Sequence, residues 1–253
     1  MYGAERQQLL AQRARQDGRI DVTAAAAEFE VAPETIRRDL AALERQGLLR
    51  RVYGGAIAVE RLDFEPGVPL RDQTNAEAKE RIAKAALDHV PARGTVLLDG
   101  GTTTAKLAAL LPADRELTVV TNSLPAANLL AARNGVNVHL LGGRVRGTTL
   151  ATVESWALDV LRQLTVDVGF FGTNGFSAAR GCTTPDPAES AVKSAMIAAC
   201  RQRVLLADHS KYGDDQFSRF AELSEIDRVI TDDGLDRAAV DELQRTEAEV
   251  VLA

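Results

Sequence analysis

Four stretches of this chain set glycine beside hydroxyl, amide or guanidinium groups just after a run of aliphatic residues: Asp99-Gly100-Gly101-Thr102-Thr103-Thr104, Thr121-Asn122-Ser123, Leu141-Gly142-Gly143-Arg144 and Gly172-Thr173-Asn174-Gly175. Glycine lets a backbone approach a ligand closely, and a helix that starts at such a turn presents unpaired N–H groups. The chemistry this offers is anion binding, with phosphate the natural guest. A single Gly-Gly-Thr turn also serves simply to redirect the chain and cap a helix, but four at strand ends favour a polar ligand site. Asp208-His209-Ser210-Lys211 adds a flexible cation at the same edge. Glu189 and Lys193 stand at i, i+4, which fits an ordinary stabilising pair and equally a carboxylate aimed at sugar hydroxyls. The candidate ligand-binding residues are Asp99, Gly101, Thr102, Thr103, Thr104, Asn122, Ser123, Gly143, Arg144, Asn174, Glu189 and Lys211.

A second set of residues has the makings of a nucleic-acid contact. Pro33, Glu34, Thr35, Arg37 and Arg38 open a helix, and Arg50, Arg51 and Tyr53 follow in a short β-type segment broken by Gly54-Gly55. Arginine bonds guanine bidentately or holds phosphate. The net charge of -6 does not exclude DNA, because residues 1–56 carry nine Arg against eight acids, and Arg37 to Arg51 holds five Arg against Asp39 and Glu44. A local basic patch is what phosphate contacts require. The alternative for these arginines is a solvated face, with Arg38 and Asp39 pairing locally.

Positioning these groups requires two kinds of architecture. Gln7–Gln16, Asp21–Phe29 and Pro33–Gln46 read as three helices, the last stopped at Gly47, with Ile36, Leu40 and Leu43 on its inward face. Residues 48–56 read as a hairpin wing, and residues 57–71, interrupted by Pro66, Gly67 and Pro69, as a linker. From residue 72 to 253, strands at 95–99, 117–121, 136–141, 166–172, 203–207, 228–231 and 249–252 alternate with helices at 77–89, 104–111, 125–133, 154–164, 187–200 and 236–245. That alternation predicts an α/β domain with a mostly parallel sheet covered by helices on both faces. Ligands of such sheets sit outside the carboxyl ends of the strands.

Composition narrows the class further. Hydrophobic residues at 45% and charged residues at 26% exclude a disordered or fibrous chain. No apolar run approaches the ~20 residues that cross a bilayer, and the start lacks the apolar stretch of a secretory signal, so a cytoplasmic protein without membrane contact is expected. With two cysteines, no CxxC and three scattered histidines, neither a metal nor a redox cofactor is expected.

The stretch Val31-Ala32-Pro33-Glu34-Thr35-Ile36-Arg37-Arg38-Asp39-Leu40, followed by Leu43-Glu44, Gly47, Leu49, Arg51 and Gly54-Gly55-Ala56, resembles the signature of the DeoR-type bacterial repressors. Two departures are Ala32, where the family commonly has a serine cap worth about 1 kcal/mol, and Tyr53, where it often has histidine. The resemblance continues through Leu98–Thr103, Val120–Leu124, Leu140–Gly143, Glu189 with Lys193, and Ala207–Lys211. It implies a winged helix–turn–helix joined to a sensor domain whose fold is similar to ribose-phosphate isomerase. It also implies a repressor with operator DNA and a sugar phosphate as partners; because one winged helix reads only a few base pairs, a homo-oligomer on paired half-sites is expected.

Residues 140–149 and 183–187 are most similar to the actinobacterial fructose-operon branch, which makes fructose 1-phosphate the first candidate effector. The relation to isomerases supplies the alternative, an isomerase-like enzyme with an attached DNA-binding module. In those enzymes paired aspartates handle the proton; their positions correspond here to Phe171 and Asn174, which cannot act as general bases, so no catalytic residue is assigned and a non-enzyme is expected.

Overall fold

A computed structural model describes residues 3–45, 48–58, 65–112 and 115–253 and divides the chain into two units, Met1–Pro66 and Gly67–Ala253. In the first unit, α1 (Gly3–Asp17), α2 (Val22–Glu28) and α3 (Pro33–Arg45) pack with an antiparallel sheet of β1 (Arg19–Asp21), β2 (Leu49–Val52) and β3 (Gly55–Ala58), in the order β1-β3-β2. Asp21 starts α2 by accepting from the N–H groups of Thr23 and Ala24 at 2.8 and 2.9 Å, which satisfies two donors that a helix start leaves open. Between α2 and α3, Glu30 takes the left-handed conformation at φ +53, and Val31 N–H returns to the Ala26 carbonyl. Ile36, Leu40 and Leu43 meet Leu10, Ala14, Ile20 and Leu49 in one apolar core, as their spacing requires. The expected stop of the third helix at Gln46-Gly47 lies outside the described residues.

Two features of this unit differ from expectation. The strand β1 is an addition: only Ile20 of its three residues is buried, too little pattern to read in advance. It runs so close to β3 that a Cβ on Gly55 would stand 1.9 Å from the Ile20 carbonyl oxygen. Asp39 does not pair locally with Arg38. It points inward, accepting from Arg6 Nε at 2.6 Å and from Gln7 Nε2 at 2.9 Å, and so fastens α1 to α3.

The second unit opens with α4 (Val68–Gln73) and α5 (Ala76–Ala86) and then alternates β4 (Arg93–Leu98), α6 (Thr102–Leu110), β5 (Glu116–Thr121), α7 (Leu124–Ala131) and β6 (Val136–Leu140). A short hairpin follows, β7 (Arg144–Arg146) and β8 (Ala151–Val153), then α8 (Ser155–Leu161) and β9 (Val166–Phe171). The remainder is β10 (Gly175–Ser177), β11 (Gly181–Thr184), α9 (Pro187–Ala199), β12 (Cys200–Leu206), β13 (Ser218–Ala221), β14 (Arg228–Thr231), α10 (Arg237–Leu243) and β15 (Glu249–Leu252). The main sheet has seven strands, all parallel, in the order β15-β14-β12-β9-β4-β5-β6.

Successive residues of a strand face opposite sides, and the core divides accordingly. Val96, Leu98, Phe170 and Leu206 pack under α5, α6 and α7, whereas Leu97, Phe171 and Leu205 pack under α8, α9 and the small antiparallel sheet β10-β11-β13. Burial pushes the thiols of Cys182 and Cys200 up to about 12, so both are inert at neutral pH. The small sheets β7-β8 and β10-β11-β13 were not legible, since strands of three or four residues carry almost no periodicity. Residues 68–71, expected as linker, begin α4 instead; Pro69 sits at the helix start, where its missing N–H costs nothing. Of that expected linker, residues 59–64 lie outside the described residues.

The Arg6–Asp39 pair gives a stability test. Asp39→Ala leaves a buried guanidinium without its carboxylate and should destabilise the first unit by about 3 kcal/mol. Urea unfolding of the full chain followed by far-UV circular dichroism should show that unit melting early; a loss below about 1 kcal/mol would contradict the assigned role.

Candidate functional site

The carboxyl ends of three adjacent central strands, β4, β9 and β12, open into one cleft. From β4 come Gly100, Gly101, Thr102 and Thr103; from β9, Gly172, Thr173 and Asn174; from β12, Ala207, Asp208 and Lys211. Helix α9 adds Glu189 and Lys193, and α4 and α5 add Arg71 and Lys79. The β4 turn is tight: β4 ends at Leu98, Gly101 caps α6 in an extended conformation, and a Cβ on Gly100 would meet that of Ala151 at 2.8 Å. The start of α6 therefore lines the cleft with Thr102 and Thr103, and a helix start of this kind is suited to an anion.

Charge is arranged in pairs around that helix start. The Lys193 ammonium is buried, pairs with the Asp99 carboxylate, donates to the Gly172 carbonyl at 3.1 Å and lies 4.0 Å from Glu189. Asp99 also accepts from Gly172 N–H at 3.1 Å. Glu189 accepts from Arg146 Nη1 at 3.0 Å, and Arg146 reaches Asp186 at 3.1 Å. Lys79 is 3% exposed, donates to the carbonyls of Arg71 and Thr74, and has its pKa lowered to about 8, chiefly by burial. For Asp208 burial pushes the pKa up, but Lys211, the Ser210 hydroxyl, Lys79 and Asn75 together outweigh it and hold the carboxyl below its ordinary value. Its Oδ2 is buried with no partner among the described residues, an acceptor that a ligand hydroxyl can satisfy. His209 is structural: its N–H and ring Nδ1 both meet Asp232 at 2.7 Å, which fixes the turn that presents Lys211.

Of the twelve residues picked from sequence, the structure brings Gly101, Thr102, Thr103, Asn174, Glu189 and Lys211 into the cleft lining, with Asp99 beside it as the partner of Lys193. Five lie elsewhere. Thr104 turns back to the Gly101 carbonyl at 3.0 Å. Asn122 and Ser123 are sealed at the end of β5 by the β7–β8 hairpin: Thr152 N–H bonds the Asn122 carbonyl at 2.8 Å, Ser123 bridges to Ala151, and the Ser123 hydroxyl caps α7. Gly143, at φ +137, fits the turn into β7, where a Cβ would strike the Val153 carbonyl. Arg144 pairs with Glu154 at 2.6 Å on the surface. The β7–β8 hairpin, invisible in the sequence, accounts for Asn122, Ser123, Gly143 and Arg144, and the turn at the start of α6 for Thr104. Arg71, Lys79 and Arg146 were missed. For Lys79 a signal existed, because Lys79, Ile82, Ala83 and Ala86 follow helical spacing on one buried face of α5.

In the first unit, Pro33, Glu34, Arg37 and Arg38 of α3 are exposed, with Thr35 half-buried. Arg37, Arg38 and Glu34 share one groove with Arg51 and Tyr53 of the wing. Glu34 holds Arg37 at 3.1 Å, and Glu44 accepts from Arg51 N–H at 2.9 Å; Arg38 and the exposed Arg50 make no ion pair among the described residues. Tyr53 stands fully exposed at the wing tip.

A winged helix–turn–helix and a separate α/β unit with a cationic cleft together define a ligand-responsive DNA-binding regulator. Residues 6–61 match the DeoR-like helix-turn-helix domain and residues 74–233 the DeoR C terminal sensor domain. The chain is similar to the uncharacterized HTH-type transcriptional regulator YulB of Bacillus subtilis, 35% identical over 99% of this chain and 96% of that one. It is also similar to the glycerol-3-phosphate regulon repressor of Escherichia coli, 33% identical over 86% of each. It belongs to the DeoR family of transcriptional regulators. Ribose 5-phosphate isomerase A from Neisseria gonorrhoeae shares part of the fold, 20% identical with a TM-score of 0.39 over 55% of this chain and 54% of that one; a likeness that low speaks to neither ligand nor activity.

Lys79 yields a pH test. Between about pH 8 and 10.5 the unfolded chain keeps a proton on Lys79 that the folded chain has lost, so this residue makes stability rise with pH across that window, its cost being fully present below it. The parent should gain stability relative to Lys79→Met as pH is raised through that range, read by urea unfolding. A difference that stays flat contradicts the burial of a charged lysine there.

Proposed function

We propose that this chain is a repressor of a sugar catabolic operon and is released from its operator by a phosphorylated sugar. The observation that carries the reading is the convergence of Lys79, Lys193 and Lys211 with the start of α6 on a cleft that also holds the acceptors Glu189 and Asp208. Cations and helix N–H groups suit phosphate, and fixed carboxylates suit hydroxyls. The similarity to a repressor named for a glycerol-3-phosphate regulon supports a small phosphorylated polyol. Fructose 1-phosphate is the first candidate because residues 140–149 and 183–187 resemble the fructose-operon branch. Arg146, inside the first of those stretches, bonds Glu189 in the cleft.

DNA recognition is assigned to Pro33, Glu34, Thr35, Arg37 and Arg38 in the major groove, with Arg50, Arg51 and Tyr53 on the adjacent backbone. One winged helix reads few base pairs, so a homo-oligomer on symmetric half-sites is the working form. The isomerase reading has one observation in its favour, the carboxylate of Glu189 in the cleft. Against it, Phe171 is wholly buried in the core and Asn174 carries an amide.

Three measurements test these assignments. With a duplex selected from a random pool as operator, the double substitution Arg37→Ala and Arg38→Ala should abolish the mobility shift while leaving the melting of the second unit unchanged. Unaltered binding at equal salt discards the groove assignment. Millimolar fructose 1-phosphate should raise the melting temperature and release operator, free fructose should do neither, and Lys211→Ala should lose both responses while staying folded. Release by a different sugar phosphate alone discards the fructose assignment, and silence toward a whole panel discards the sensor reading. Purified protein should not convert pentose or hexose phosphates; turnover that disappears in Glu189→Gln would promote the enzyme instead.

A further inference from the structure

Helix α4 is held at its end by a residue that lines the cleft and at its start by a turn next to the cleft's Glu189 partner, Arg146. At its start, Val68 N–H donates to the carbonyl of Thr148 at 3.2 Å, in the turn just beyond Arg146, and Arg146 grips Glu189 and Asp186. At its end, the Lys79 ammonium donates to the carbonyls of Arg71 and Thr74. Past that end, Asn75 adopts φ +50, a conformation non-glycine residues seldom take, while its side-chain amide donates to Asp208 at 2.7 Å and to Ser210 at 3.2 Å. Helix α4 is also the first element of the second unit, so the backbone leaving Pro66 enters the sensor through it. An ammonium has three donors, and Lys79 spends two on α4 and its following turn while lining the cleft.

We propose that α4 carries the effector signal toward the DNA-binding unit and that Lys79 is the coupling residue, its ammonium shared between the carbonyls of Arg71 and Thr74 and the phosphate of the effector. The proposal rests on the reading of the cleft as a sugar-phosphate site. A ligand shifts a conformational equilibrium only through contacts that differ between the two states. Lys79 supplies such a difference. Its hydrogen bonds go to backbone carbonyls, while the Asp208 carboxylate acts on it through charge; a phosphate dianion draws the ammonium toward itself and weakens the donors that close the end of α4. Lys193 differs because its charge already has the Asp99 carboxylate as a fixed partner. Lys211 and the start of α6 therefore hold the ligand, and Lys79 reports it.

The test separates binding from release in the full-length protein. Lys79→Met should bind fructose 1-phosphate about tenfold more weakly by calorimetry, the effect of one charge-assisted hydrogen bond, yet at saturation it should no longer release operator. Val68→Pro removes the N–H that ties α4 to Thr148 and touches no cleft group; it should bind the same compound with unchanged affinity and also fail to release. Hydrogen exchange across residues 68–75 should accelerate with fructose 1-phosphate in the parent and not in Lys79→Met. Normal binding together with normal release in both variants overturns the coupling role alone. If the parent binds no phosphorylated sugar of the panel, the effector reading falls, and this inference falls with it.

Discussion

A carboxylate and an ammonium buried together at the end of a parallel sheet organise the rest of the second unit. Asp99 directly follows β4 and Lys193 lies one turn beyond Glu189 on α9; the two buried charges compensate each other. Their pairing draws α9 across the ends of β4 and β9, and the Gly172 N–H and carbonyl complete the arrangement from β9. The side chain of Lys193 also stacks over the Phe220 ring at 5.0 Å, which ties in the small antiparallel sheet. Because this pair neutralises itself, the charge left to act on a ligand comes from the cations at the cleft margin. Lys79, Lys211 and Arg71 face Glu189 and Asp208 there, an excess of one positive charge. That balance favours a small anion without drawing in polyanions indiscriminately.

The parts of this arrangement legible in the sequence are those that depend on periodicity and strand order. Parallel strands covered on both faces read as short aliphatic runs, so the seven strands of the main sheet appear within a few residues of their places. The turn after β4 was legible because glycine there is a steric necessity, as Gly100 against Ala151 shows. What could not be read is which strand ends are open. Asn122 and Ser123 carry the same chemistry as Thr102 and Thr103, but β5 is closed by a hairpin of three-residue strands whose bridge to Ser123 is long-range. Sequence gives the chemistry available at each strand end, and only the packing decides which of it meets solvent.

The first unit shows the same separation between charges that build and charges that wait. Arg6 is buried against Asp39 and fixes the angle of α1 on α3, whereas Arg37 and Arg51 lean on exposed acids. Exposed pairs of that kind contribute roughly 0–1 kcal/mol and are screened by salt, so a phosphate can replace the acid at little cost. The acids thus keep the arginines ordered and aimed without holding them fast. Tyr53, exposed at the wing tip, contributes nothing to the core of the unit.

Lys79 places the proposed coupling in physical terms. A lysine this deeply buried beside other cations is destabilising by itself, and backbone carbonyls are weaker partners for it than a carboxylate. Asp208 supplies counter-charge to Lys79 without the direct contact that Asp99 makes with Lys193, which leaves Lys79 the less fully compensated of the two. An incoming dianion relieves that imbalance most at the position where it is greatest, so the binding energy is concentrated on the residue that also holds the end of α4. Coupling then follows from the uneven distribution of counter-charge within one cleft, and it needs no rearrangement of the sheet.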